Sequence, residues 1–169
     1  MTLFKVFTSS LTSIKKIAAF RLMPMGKTMQ YIFLFIFLFT LLAFLEFTTQ
    51  IGTSAGQLDG VVDYFEEIDW LLYPFAFLLL FVIQTLLFFT QISLVAAVAW
   101  LAAPIMKRRA DYRFLWRSTL FANTWSFLLL LISYLVFEDS PVVHGISYAL
   151  TLVIVLLALR YYPKLPKKA

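Results

Sequence analysis

Apolar residues dominate four stretches of the chain, and the polar positions between them set where each one begins and ends. The first, Met29 to Phe47 (MQYIFLFIFLFTLLAFLEF), has 19 residues with its only charge, Glu46, at the far end. About 20 helical residues cross the ~30 Å hydrocarbon core of a bilayer, so the stretch predicts one span. The second, Trp70 to Met106, is 37 residues without a charge. As one helix it would measure about 55 Å, longer than a single crossing. Its middle, Phe88 to Ser93 (FFTQIS), offers no Gly, Pro or charge for a turn. The pattern predicts one long, tilted helix that projects past the membrane, with Pro74 in its first turn and Pro104 ending or kinking it near Leu101 to Ala103. A third span is expected over Thr119 to Phe137. A fourth covers Ile146 to Leu159, beginning as early as Val142.

Two further segments have helical rather than continuous patterning. Leu3, Phe4, Phe7, Leu11, Ile14 and Ala18 fall on one helical face, with Lys5, Lys15 and Lys16 off it. This predicts an amphipathic helix on the membrane surface, divided where Thr12 or Ser13 caps a second piece. The polar stretch before the first span is too long for the n-region of a cleavable signal peptide. Between the first two spans, Asp59, Asp63, Glu66 and Glu67 share one helical face and Val61, Phe65, Ile68 and Leu72 another. A short amphipathic helix on the outer leaflet is expected there.

Composition agrees with a membrane setting. The chain is 62% apolar and 14% charged, against roughly half and a quarter in soluble domains. The expected fold is all-α: a four-transmembrane-helix bundle with an N-terminal amphipathic interfacial helix. Residues 1–28 form a cytoplasmic-leaflet segment. Residues 29–169 form the transmembrane domain, with spans at about 29–47, 74–103, 119–137 and 142–160.

Charge sorting orients it. All 14 Lys/Arg lie in the N-terminal arm, the central loop or the tail, while eight of nine carboxylates lie in the other two loops or at the end of the first span. The positive-inside rule then places both termini of a multi-pass membrane protein in the cytoplasm. The loop KRRADYRFLWR, Lys107 to Arg117, has the look of a nucleic-acid patch, but no soluble fold exists to present it and no nucleic acid is expected as a partner. It is expected to face anionic lipid headgroups, each basic residue contributing about 1 kcal/mol near the surface. The expected headgroup contacts are Lys15, Lys16, Arg21, Lys107, Arg108, Arg109, Arg113 and Arg117. Tyr112 and Trp116, and Tyr161 and Tyr162 of the tail, sit where interfacial aromatics belong.

Chemistry is sparse. Cysteine is absent and His144 is the only histidine, which removes disulfides, thiolate catalysis and His or Cys metal clusters. Gly26-Lys27-Thr28 lacks the earlier glycine of a phosphate-binding loop, since Arg21 occupies that position. Gly52, Gly56 and Gly60 repeat a helix-pairing spacing, but in a polar loop, where a linker is expected. Asp59, Asp63, Glu66 and Glu67 lack the ligand pattern of a calcium loop; they are read as a solvated face or an extracytoplasmic partner surface. No charge lies near a bilayer centre, where ion pathways usually carry one. The main polar groups of the spans are Gln84 and Gln91, on one face of the long helix, with Thr40, Thr85, Thr90 and Ser93. Gln84 and Gln91 are expected to contact another helix or a partner. No catalytic residue, cofactor or metal ligand is assigned, and an enzyme is not expected.

The opening KVFTSSLTSIKKIAAFRLMPMGKTMQYIFLFIFL resembles an uncharacterised family of integral membrane proteins from Gram-positive bacteria, some of whose members are described as maltodextrin-utilisation proteins. The likeness rests on Ile17, Ala18, Phe20 and Arg21 and on Gly26-Lys27-Thr28 leading into the first span. The later KRRADYRFLWRSTLFANTW is similar to that family's basic loop. The family usually has a long extracytoplasmic segment after its first span, and here that segment is about 22 residues. The resemblance implies a link to carbohydrate uptake and supplies no catalytic residues. The leading expectation is a non-enzymatic accessory protein that scaffolds or regulates a larger membrane complex, with a membrane protein partner or self-association. The alternative is a small oligomeric transporter.

Overall fold

The computed structural model of the chain describes residues 3–55, 62–136 and 141–164. Every named element among them is a helix: α1 Leu3–Thr12, α2 Ile14–Ala19, a 3-10 turn Phe20–Leu22, α3 Met25–Ala55, α4 Val62–Ile105, α5 Tyr112–Ala122, α6 Thr124–Val136 and α7 Pro141–Leu159. Four stretches are long and apolar enough to cross a membrane: Met25–Gln50, Trp70–Ile105, Tyr112–Tyr134 and Val142–Leu159.

The long uncharged segment is one continuous helix, as its sequence predicts, and it extends further. The residues from Val62 onward form the opening turns of α4 rather than a separate surface helix. Pro74 therefore lies in the helix interior, not in its first turn; helices in membranes tolerate this because local adjustments re-satisfy the freed backbone groups. Pro104 does not stop the helix early. α4 runs through it to Ile105 and closes in a Schellman arrangement: the Arg108 N–H donates to Ala103 O at 3.0 Å and the Lys107 N–H to Pro104 O at 2.9 Å. That closure needs a left-handed residue, usually glycine; here Lys107 fills the place with φ 55°.

Gly52 lies within α3, not in a linker, while Gly56 and Gly60 lie outside the described residues. The helix leading into the third apolar stretch begins at Tyr112, inside the basic segment. α5 and α6 meet at Asn123, where the backbone stays right-handed helical (φ −67°, ψ −10°). The Thr119 hydroxyl donates to Leu115 O and the Thr124 hydroxyl to Phe121 O, the back-bonding that bends helices locally.

The chain divides into two compact units, one of Met1–Ile32 with Phe89–Ala169, the other of Phe33–Phe88. The second is an antiparallel pair of helical segments from α3 and α4, joined by rings: Phe33 stacks on Phe81 at 6.4 Å, Phe37 meets Phe77 edge-on at 6.3 Å, and Phe44 meets Phe77 and Tyr73 at 5.5 and 6.3 Å. Its outward side chains, among them Leu34, Phe75, Leu78 and Leu86, are exposed and apolar.

In the first unit α2 and the 3-10 turn pack on α5, α2 also packs on α7, and α6 lies closest to α7. α1 and α2 separate at Ser13, as expected, but the Ser13 side chain makes no capping hydrogen bond. The face of this segment that packs on the protein lies beside the apolar face read from the sequence, with Ala18 common to both. Val6, Ser9, Ser10, Ile17 and Ala18 are buried, whereas Phe4 is 74% exposed and Ile14 is exposed. The serines turn inward because they have polar partners there: Ser10 Oγ lies 3.3 Å from the Tyr31 hydroxyl.

Candidate functional site

Two polar constellations stand out in the first unit. One lies among the long apolar helices. Asn123, the chain's one asparagine, is fully buried. Its Oδ1 accepts from Gln91 Nε2 of α4 at 3.2 Å and from the Thr151 hydroxyl of α7 at 2.7 Å. Thr151 also pairs with Ser126 of α6, and Ser126 donates to Ser147 O at 2.7 Å. Tyr31 of α3 extends the polar core by pairing with Thr124 at 2.8 Å. Small hydroxyl residues let α6 and α7 approach closely, and each bond across helices spares a polar group from hydrocarbon. Asn123 Nδ2 and Ser147 Oγ are buried without a hydrogen-bond partner.

The two glutamines do not act together. Gln91 is buried at 7% exposure and belongs to this cluster. Gln84 lies half-buried in the Phe33–Phe88 unit. Sequence patterning pairs them because they are seven apart on one helix. It overlooks Asn123, whose signal was a lone amide inside the apolar run expected from Thr119 to Phe137.

The other constellation gathers three distant basic segments. The turn after α4 pairs with the tail: an isolated antiparallel bridge joins Arg108 to Lys164, the Arg109 N–H donates to Pro163 O at 2.9 Å, and Arg108 Nη1 donates to Tyr162 O at 2.8 Å. Tyr162 turns into the protein, whereas Tyr161 is exposed. Tyr162 is 3% exposed, with its hydroxyl 2.8 Å from Ser118 Oγ and donating to Phe114 O. The Arg21 guanidinium sits 4.6 Å above its ring. Burial pushes the Tyr162 phenol above its ordinary value near 10, against the opposing pull of the Ser118 hydrogen bond and the Arg21 charge. Arg117 holds the N-terminal segment in place by donating from Nη1 to Arg21 O at 3.3 Å and to Met23 O at 3.1 Å. Between these parts lies a cleft of about 490 Å³ lined by Arg21, Arg109, Asp111, Phe114, Tyr162 and Lys164 among others.

The basic residues named from sequence therefore divide. Lys15, Lys107, Arg109 and Arg113 are exposed, and so is Lys16, whose Nζ lies 3.4 Å from Ser9 Oγ. Arg108 and Arg117 are half-buried and bind backbone carbonyls. Arg113 and Arg117 lie on α5 rather than in a loop. Tyr112 and Trp116 both hydrogen-bond Ser93 of α4, and Trp116 stacks on Phe89 at 5.9 Å, so they dock α5 onto α4. Of the acidic set, Asp59 lies outside the described residues, as do the side chains of Asp63, Glu66 and Glu67. His144 is exposed in the first turn of α7.

The sequence profile of a family described as protein of unknown function (DUF1189) matches residues 47–159. The match includes the basic loop and three of the four spans, and leaves out the N-terminal stretch that carries most of the resemblance seen in the sequence. No curated protein and no solved structure matches the chain.

Proposed function

The chain belongs to the DUF1189 family, of unknown function, and we propose that it is a non-enzymatic accessory protein of a larger membrane complex. It lies in the bacterial cytoplasmic membrane with both termini in the cytoplasm. One observation carries this reading. The polar groups of α4, α5, α6 and α7 are bonded to one another through Asn123, which is how helices are held together, not how a solute is passed. The exposed apolar face of α1, with Phe4 outward, suits an interfacial helix on the inner leaflet. The exposed cations of the N-terminal segment, central turn and tail suit anionic headgroups there. The link to carbohydrate uptake, and the Gram-positive setting, rest on the sequence resemblance alone.

The test is purification from native membranes in mild detergent. The accessory reading expects a second membrane protein at fixed stoichiometry, with complex assembly lost when this chain is deleted. A chain that purifies alone and moves a solute in liposomes would replace it with the transporter reading. That alternative has its own observation in the unpartnered Asn123 Nδ2 and Ser147 Oγ, which are free to meet a solute or water.

A further inference from the structure

The cleft at the basic end has the makings of a specific site and not merely a charged surface. Three cationic side chains, Arg21, Arg109 and Lys164, line it against one carboxylate, Asp111. They come from parts of the chain far apart in sequence, brought together by the contact of Arg21 with Tyr162 and by backbone pairing at Arg109 and Lys164. Arg21 is stacked on the Tyr162 ring and its carbonyl is held by Arg117. The backbone of Arg109 is tied to Pro163, and Lys164 is bridged to Arg108. The Arg21 guanidinium, held before a ligand arrives, loses little freedom on binding it, so more of its attraction appears as affinity; Arg109 and Lys164 are brought to the cleft through their backbone. Guanidinium forks and an ammonium around one concavity are the donors that a phosphate oxygen set requires. The remaining walls are apolar: Leu22, Phe114 and Pro163 line the same cleft, and Leu22 is exposed.

We propose that this cleft binds a single phosphate group, with Arg21, Arg109 and Lys164 as its ligands. A phosphate carried by an anionic phospholipid and a free phosphate share that chemistry, and the apolar walls favour the lipid. The proposal rests on the reading of this end as the headgroup-facing one only for the lipid source. The phosphate site itself does not depend on the protein's partners.

The test uses full-length protein in detergent micelles and native mass spectrometry with added phosphatidylglycerol or phosphatidylcholine. The exposed side chains of Arg109 and Lys164 make no contact that the fold needs, so Arg109→Gln with Lys164→Gln leaves the backbone pairing intact. Lys5→Gln with Lys27→Gln removes the same charge at exposed residues outside the cleft. The wild type is expected to retain one phosphatidylglycerol at least tenfold more tightly than phosphatidylcholine. The cleft pair should lose at least fivefold of that affinity, and the control pair less than twofold. Displacement of the lipid by inorganic phosphate, but not by chloride at equal ionic strength, would assign the site to a soluble phosphate; no displacement assigns it to the lipid. Equal loss in both double variants, or no preference over phosphatidylcholine together with no effect of phosphate, would overturn the site. Neither result bears on whether a protein partner co-purifies.

Discussion

Breaking the Gln91–Asn123 contact should cost stability in a way that only a true interhelical bond explains. Gln91→Leu keeps the side-chain bulk and removes one donor. Asn123 Oδ1 keeps its second donor, the Thr151 hydroxyl at 2.7 Å, so no acceptor is stranded. Hydrogen bonds between helices in membranes average about 0.6 kcal/mol and reach about 1.7, which sets the expected loss. Asn123→Ala is more severe. It strands the buried Gln91 amide, at roughly 1–3 kcal/mol, and removes the Thr151 bond, although Thr151 keeps its bond to Ser147 O at 3.0 Å. The Thr151 loss occurs with and without Gln91, so it cancels in a double-mutant cycle, leaving an expected coupling of about 0.6–2 kcal/mol. Reversible unfolding in mixed micelles with increasing sodium dodecyl sulfate, followed by tryptophan fluorescence, measures each corner. Gln84→Leu is the internal control and should be neutral or stabilising, within about 0.5 kcal/mol. A coupling below about 0.4 kcal/mol, within ordinary additivity, would mean the bond is absent and the cluster does not hold these helices.

Three other outcomes are expected. Lys107→Gly should stabilise the protein by about 0.5–1 kcal/mol in the same assay, because the left-handed conformation costs a side-chain-bearing residue about 1–2 kcal/mol and glycine's greater chain freedom returns part of that; destabilisation would show that the Lys107 side chain makes a contact worth more. Arg117→Met should weaken docking of the N-terminal segment by about 1.5–3 kcal/mol, the value of hydrogen bonds from a charged group, seen as faster amide exchange across residues 14–23; unchanged exchange would refute the clamp. The raised Tyr162 value makes stability independent of this group below pH about 10, with a loss as pH rises through the folded-state value. The Tyr162→Phe variant should lack one late-titrating phenol in ultraviolet absorbance and should lose less stability in alkali, and a variant that titrates and unfolds as the wild type does would contradict this.

The four long apolar helical stretches and the continuity of α4 were legible because they follow from long apolar runs, whose physical demand is local. The gathering of basic residues was legible in outline from charge sorting. What escaped was which polar residues turn inward. Ser9 and Ser10 belong to the face that periodicity reads as polar and outward, yet they are buried. In a segment with an apolar outer face, the protein side is where small hydroxyls find partners, and Ser10 finds Tyr31 from 21 residues away. Tyr162 and Trp116 share the same difficulty. An aromatic near a span end suits the interface by position alone, and only tertiary contacts reveal that Tyr162 is walled in by Ser118, Phe114 and Arg21. Asn123 was hidden for a related reason: its partners come from α4 and α7, 32 and 28 residues away.

The N-terminal segment, the turn after α4 and the tail make one basic face, and the proposed orientation puts that face in the cytoplasm. Single cysteines test this without background, since the chain has none of its own. Thr12 and Tyr161 are exposed positions on the basic side, and Ser54 and Ser140 mark the acidic side. With an impermeant thiol reagent added to intact cells, the variants at 54 and 140 should label, and those at 12 and 161 only after permeabilisation. Labelling at 12 with protection at 54, or opposite behaviour of 12 and 161, would contradict the shared cytoplasmic face.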